Sequence, residues 1–156
     1  MVGLACERKN KVSTAEIEIR PAQLMERPEV DLLVRRCGKH VRDYFGIRTL
    51  DEFFSKGHVW VLVDEDIIAF AVAVPLKKTP TISLYEIGVD PDHRQKGHAK
   101  RLLKHIQEEY PDREYRFVVN ENNVEGRTAY KKMGFQVEKY DVTKSGRCIV
   151  RMIGKI

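Results

Sequence analysis

The sequence predicts an α+β fold, a mixed β-sheet of seven strands flanked by four helices, and three observations carry that reading. Stretches with period-2 alternation or dense β-branched content recur seven times along the chain. Amphipathic stretches at helical spacing interrupt them four times. One strand–helix–strand unit, from residue 81 to residue 119, has the form of a crossover between parallel strands and leaves the rest of the sheet mostly antiparallel. With 156 residues, 42% of them apolar and 33% charged, the chain suits one globular domain, expected over 14–156 behind a loose polar tail at 1–13.

The elements follow in order. Ala15, Ile17 and Ile19 alternate with Glu16, Glu18 and Arg20, a strand ended by Pro21. Val30, Leu33, Val34, Cys37, Val41, Tyr44 and Phe45 keep helical spacing, which predicts a helix over 28–45 stopped by Gly46. The "TLDE" at 49–52 reads as a capping box that opens a short helix to Ser55. "HVWVLVDEDIIAFAVAVP" predicts a hairpin turning at Asp64-Glu65-Asp66 and closed by Pro75. "TISLYEIGV" at 81–89 is apolar on both faces, as a central strand should be. A loop and helix over 90–110 follow, then the buried strand "YRFVV" at 115–119. "NVEGRTAYKKMG" predicts a helix ended by Gly134, and the last two strands form a hairpin around Lys144-Ser145-Gly146.

The stretch "DPDHRQKGHAKRLLKHI" at 90–106 is charged against its own helix. Arg94, Lys96, Lys100, Arg101 and Lys104 crowd the N-terminal end, where the backbone dipole disfavours cations, and Glu108 and Glu109 close the helix. Ala99, Leu102, Leu103, Ile106 and Tyr110 form the apolar stripe, so the cations project outward. Gly97 lies where loop gives way to helix and allows a ligand to approach the backbone closely. Free N–H groups at a helix start, with excess positive charge, make an anion site of the kind that holds phosphate; the alternative is a solvated basic helix face. The Walker pattern, the G-x-G-x-x-G fingerprint and the kinase motif set are all missing, which leaves ATP hydrolysis and hydride transfer without support.

Val89-Asp90-Pro91 followed by Arg94-x-x-Gly97-x-Ala99 resembles the acetyl-CoA loop of the GNAT N-acetyltransferases. "NVEGRTAYKKMGF" at 123–135 resembles that family's second signature, an asparagine, an Ala-Tyr step and Gly-Phe. The element order matches from about residue 14 onward. The resemblance implies acetyl-CoA as acyl donor, with the backbone of Arg94, Gln95, Lys96, Gly97, His98 and Ala99 cradling its pyrophosphate. It also implies that the central parallel pair, 81–89 and 115–119, splays toward its C-terminal ends. Pantetheine would then reach the backbone at Ile87, Gly88 and Val89, and contact Asn123. Gly88 suits such a disturbed strand or a plain bulge.

The implied chemistry is direct transfer of an acetyl group from thioester to amine in a ternary complex. Tyr130 is the implied acid that protonates the departing thiolate. Its other reading is a helix tyrosine in the core. For the base, Glu86 shares a strand face with Ile82 and Leu84, an apolar setting that raises a carboxyl pKa into a useful range. It can equally hold a neighbouring cation and leave proton removal to a water chain. Ribosomal-protein alanine acetyltransferases, a similar branch, carry a glutamate base at the position matching Val118, and valine cannot serve there. Glu121 reads as a loop acid.

The acceptor stays open among a small amine, a protein N-terminus, a lysine and an aminated nucleobase; the resemblance implies Tyr44, Phe45, Arg48 and Tyr140 as candidate lining residues, Tyr44 and Phe45 belonging also to the core stripe of their helix. A net charge of +5 permits an anionic partner without requiring one. Two rival readings are a basic nucleic-acid-binding module and a GNAT relative that binds acyl-CoA without catalysis. The first is disfavoured because 94–104 has no aromatic residue beyond histidine. Cys6, Cys37 and Cys148 have no metal-ligand spacing and suggest no disulfide framework, and Cys37 and Cys148 read as small core residues. His40, His58 and His105 lie in unrelated contexts. No apolar run nears the about 20 residues of a membrane span, no secretion signal is expected, and no metal is implied. A cytoplasmic enzyme, monomer or homodimer, is the expectation.

Overall fold

A computed structural model describes residues 16–38 and 47–156 of the chain. Seven strands form a single mixed sheet in the order β1-β2-β3-β4-β5-β7-β6. They are β1 (Glu18–Pro21), β2 (Val59–Asp64), β3 (Asp66–Pro75), β4 (Thr81–Val89), β5 (Glu114–Asn120), β6 (Gln136–Val142) and β7 (Cys148–Gly154). Among the described residues there are four α-helices, α1 (Arg27–Cys37), α2 (Ile47–Ser55), α3 (His98–Glu109) and α4 (Val124–Met133). The predicted order of elements is the observed one. No helix of the described residues is long and apolar enough to cross a membrane.

Two compact units divide the chain. One runs to Phe70 and takes in Gly88–His98; the other comprises Ala71–Ile87 and Ala99–Ile156. In the first, β1 pairs antiparallel with β2, from Glu18 opposite Val63 to Pro21 opposite Trp60. Val59, Val61, Leu62, Ile68 and Phe70 are buried there with Val30 and Leu33 of α1 and Leu50 and Phe54 of α2. Arg27 ties the two helices: it pairs with Asp31 and Asp51, and its guanidinium lies 5.4 Å from the Phe54 ring centre.

Three expectations need correction here. The first helix ends at Cys37 rather than running to 45, because Gly38 takes a φ of 112° that L side chains avoid. The apolar spacing through Val41, Tyr44 and Phe45 lies outside the described residues, as do His40, Cys6 and the tail at 1–13. Thr49 falls inside α2 instead of ahead of it, so "TLDE" is not the start of that helix. Strand β1 begins at Glu18, two residues after the described chain does.

In the second unit the parallel ladder between β4 and β5 covers three residue pairs, Thr81↔Glu114, Ile82↔Tyr115 and Ser83↔Arg116. Both strands then run on, β4 to Val89 and β5 to Asn120, so the expected splay is present. On its other side β5 stays paired with β7 throughout, from Tyr115↔Gly154 to Asn120↔Ile149. Leu102, Leu103 and Ile106 of α3 are fully buried, and the Tyr115 hydroxyl donates to the Leu103 carbonyl at 2.6 Å. Tyr110, expected on that stripe, lies beyond the helix end, and Gln107 takes the buried place. Its amide donates to the carbonyls of Tyr110 and Arg113, and its oxygen accepts from Ile156 N–H, so a polar side chain is buried with its bonds made. Cys148, expected in the core, is exposed: it opens β7 opposite Val142, which is itself exposed.

Candidate active site

Strand β4 leads into the basic loop through a tightly held turn. Asp90, only 5% exposed, donates its N–H to the Ile68 carbonyl at 2.8 Å. Its side chain caps the short 3-10 turn Pro91–His93 by accepting from Asp92 N–H at 2.9 Å. Strand amides alternate in direction, so those of Ile87 and Val89 turn away from β3. The Val89 carbonyl is already engaged: it accepts from Cys37 Sγ at 3.4 Å and from Arg94 Nε at 3.1 Å. A ligand at Val89 is therefore left with the N–H.

Gly88 owes its presence to packing rather than to a turn. A Cβ there would stand 2.5 Å from Phe70 Cε1 and 2.9 Å from Cys37 Sγ, both too close. Sequence reasoning took this glycine for a strand irregularity; the ring of Phe70, eighteen positions away, gives the reason.

Beyond the turn the backbone enters the left-handed region twice, at Gln95 (φ 62°) and Gly97 (φ 80°). Left-handed residues alternating with ordinary ones turn successive N–H groups to one side and make an anion-binding concavity. The space a Cβ would take at Gly97 is open to 4 Å. Arg94, Gln95, Lys96 and Gly97 are exposed, and His98 and Ala99 are half-buried. Lys100, Arg101 and Lys104 are exposed on α3, whose first turn carries no acid. These residues fit a pyrophosphate group bound by backbone, with cations nearby.

The second unit holds the candidate proton-transfer groups. Glu86 is half-buried near the end of β4, beyond the last paired residue of the ladder with β5. Burial pushes its carboxyl up to about 8, against a smaller lowering from the Ile87 N–H. Tyr130 stands in the last turn of α4, its ring 4.7 Å from Phe117 and 6.3 Å from Phe135 between centres. Burial raises its hydroxyl well above the ordinary tyrosine value, and the charge of Glu86 raises it further. The charge of Glu86 is thus felt at Tyr130, as the smaller of the two causes.

The ends of α4 hold Tyr130 in place. Asn123 is the N-cap, its Oδ1 accepting from Gly126 N–H at 3.0 Å, which leaves the side-chain amide as its donor. Gly134 (φ 110°) closes the helix, with its N–H bonded to the Lys131 carbonyl and that of Phe135 to the Tyr130 carbonyl. Glu121, the lesser candidate base, is exposed and lends its carbonyl to Arg127. Tyr140 is exposed on β6, and Arg48 falls within α2. Tyr44 and Phe45 lie outside the described residues.

Comparison with known proteins agrees with this geometry. The acetyltransferase (GNAT) domain family matches residues 55–137. The 5-NmdU N-acetyltransferase of Pseudomonas phage PaMx11 is 29% identical over 124 residues, which is 78% of this chain and 88% of that protein. Among solved structures, the ribosomal-protein-S18-alanine N-acetyltransferase from Escherichia coli superposes with a TM-score of 0.70 at 19% identity, covering 88% of this chain and 92% of that one. The PaiA N-acetyltransferase from Thermoplasma acidophilum, solved in complex with coenzyme A, gives 0.65 at 18% identity over 91% and 100%. At these identities the two structures establish a shared fold.

Proposed function

Because the chain belongs to the acetyltransferase (GNAT) family, we propose that it moves the acetyl group of acetyl-CoA onto a primary amine by direct attack, with residues 14–156 as one catalytic domain. The observation that supports the chemistry is a pair of groups in the second unit: a carboxyl pushed up to about 8 by burial and a tyrosine held protonated. Amine acetylation needs one group to accept a proton and another to donate one. Tyr130 keeps its proton for donation, and Glu86 can accept one in its ionised fraction, which grows as pH rises toward about 8.

Bound acetyl-CoA supplies an acyl group activated as a thioester. The loop from Arg94 to Ala99 holds the pyrophosphate through its backbone, and the exposed cations of α3 add attraction. Ile87, Gly88 and Val89 meet the pantetheine arm through main-chain groups, and Asn123 donates its side-chain amide to it. Glu86 takes a proton from the ammonium, so that the neutral nitrogen can form the new N–C bond. A backbone N–H near Val89 stabilises the negative charge that develops on the acyl oxygen. As the C–S bond breaks, Tyr130 gives its proton to the sulfur; the second proton, shed by the nitrogen as it becomes an amide, restores Tyr130 through solvent, and Glu86 releases its own to bulk water.

The acceptor follows the phage relative: 5-NmdU, named as that protein's substrate, is the first amine to test. The net charge of +5 suits an acceptor carried on an anionic molecule. The setting is the cytoplasm, with the enzyme as monomer or homodimer. Calorimetry with acetyl-CoA, then thiol release against a panel of amines that includes 5-NmdU, tests the reading. Absence of acetyl-CoA binding overturns it. Binding without release on any amine makes the chain a non-catalytic acyl-CoA binder.

A further inference from the structure

We infer that Arg36, at the end of α1, is a positioning residue for the donor site: it clamps the turn from which the phosphate-binding loop departs. Its guanidinium reaches two carboxylates at once, Nη1 to Asp90 Oδ2 at 2.8 Å and Nη2 to Asp92 Oδ2 at 3.0 Å. The neighbouring Cys37 adds its thiol bond to the Val89 carbonyl. The C-terminal end of α1 thus grips three residues around one turn, Val89, Asp90 and Asp92, just before Arg94.

The two carboxylates differ in what they need. Asp92 has a side chain 78% exposed, and its pair with Arg36 is a surface contact of small worth. Asp90 has a side chain only 8% exposed, and a buried carboxylate must be paired and hydrogen-bonded. Its Oδ1 is used by Asp92 N–H and stands 3.8 Å from His93 Nδ1, so Oδ2 depends on Arg36. Without Arg36, Asp90 must either turn toward water or draw a new cation to itself. Either movement drags the capped turn, and with it the path of the left-handed residues Gln95 and Gly97. Planar two-pronged contact is what arginine offers and lysine does not.

The inference rests on the reading that the loop binds acetyl-CoA, and the test separates the two. Acetyl-CoA affinity is measured by calorimetry, and kcat and KM by thiol release, for wild type, Arg36→Ala, Arg36→Lys and Asp92→Asn. The expected result for Arg36→Ala is a rise in Kd and KM for acetyl-CoA of about tenfold with kcat within about twofold. Arg36→Lys should recover part of the loss, and Asp92→Asn should show the smallest change. A merely structural defect lowers the active fraction, which reduces kcat and leaves KM alone. Should Arg36→Ala fail to fold, the lysine variant still decides, since it keeps the charge and loses the second prong. Wild-type Kd and KM in a folded Arg36→Ala or Arg36→Lys overturn the inference while leaving the donor site standing. If wild type itself binds no acetyl-CoA, the functional reading falls first, and the inference with it.

Discussion

Glu86→Gln is expected to make the protein more stable in alkali while disabling it. Burial raises the Glu86 carboxyl from the usual 4.5 to about 8. Across that window the folded chain keeps a proton that the unfolded chain releases, so stability falls as pH rises from one value to the other. At about 1.36 kcal/mol per pH unit the whole interval is worth about 5 kcal/mol. The side chain is half-buried rather than sealed, and screening by water reduces this to about 2–3 kcal/mol. Glutamine carries no charge to desolvate. Urea titrations followed by the fluorescence of Trp60 should find the two proteins close at about pH 5 and the variant ahead by about 2–3 kcal/mol at about pH 9. In the same material, wild-type kcat/KM should climb with pH toward a plateau above about 8, and the variant should lose both that limb and most of the rate. A variant that matches wild type in stability at both pH values, or is the weaker at pH 9, refutes the desolvated carboxyl and the base built on it.

Tyr130→Phe should lower kcat by about 10²-fold or more with acetyl-CoA affinity unchanged, read by thiol release and calorimetry. Asn123→Ala should cost about 1 kcal/mol in denaturant unfolding through loss of the α4 cap, whereas Asn123→Asp keeps an acceptor for Gly126 N–H and should be nearly neutral. Both variants should raise KM for acetyl-CoA if the side-chain amide donates to the ligand. Gly88→Ala should destabilise by about 1–3 kcal/mol, because its methyl would meet the Phe70 ring, and Phe70→Leu should recover part of the loss in the double variant.

What could be read from sequence was what neighbours in the chain decide. The α4 helix was legible end to end because its signals are local: Asn123 before it, Gly134 after it. The loop at 94–99 was legible for the same reason, since charge run against a helix dipole needs no knowledge of the fold. The first helix failed locally too, because the apolar period continued past Gly38 and outweighed a glycine whose backbone angle decides the end. The clamp on Asp90 was hidden for a different reason: Arg36 lies more than fifty positions from its partners, and nothing in either stretch names the other. Gln107 was hidden because its partners are backbone carbonyls, which every residue has. The charge of Glu86 reaches Tyr130; the sequence had picked out the two residues separately, and only folding brings the one within range of the other.

The ladder that ends at Ser83 and Arg116 has a bearing on how such a chain can change over time. Main-chain amides are the same in every residue, so a ligand that meets them as an added strand would asks little of the side chains around it. Substitutions along the open part of β4 can then accumulate with modest loss, provided the strand keeps its path. Insertions and deletions are another matter. One residue added within β4, after Ser83, would turn the amides of Ile87 and Val89 to the opposite edge and reverse the facing of Glu86, with every residue type still in place. A site of that kind is written in spacing more than in composition, and selection on it should weigh length changes within 84–89 far more heavily than replacements.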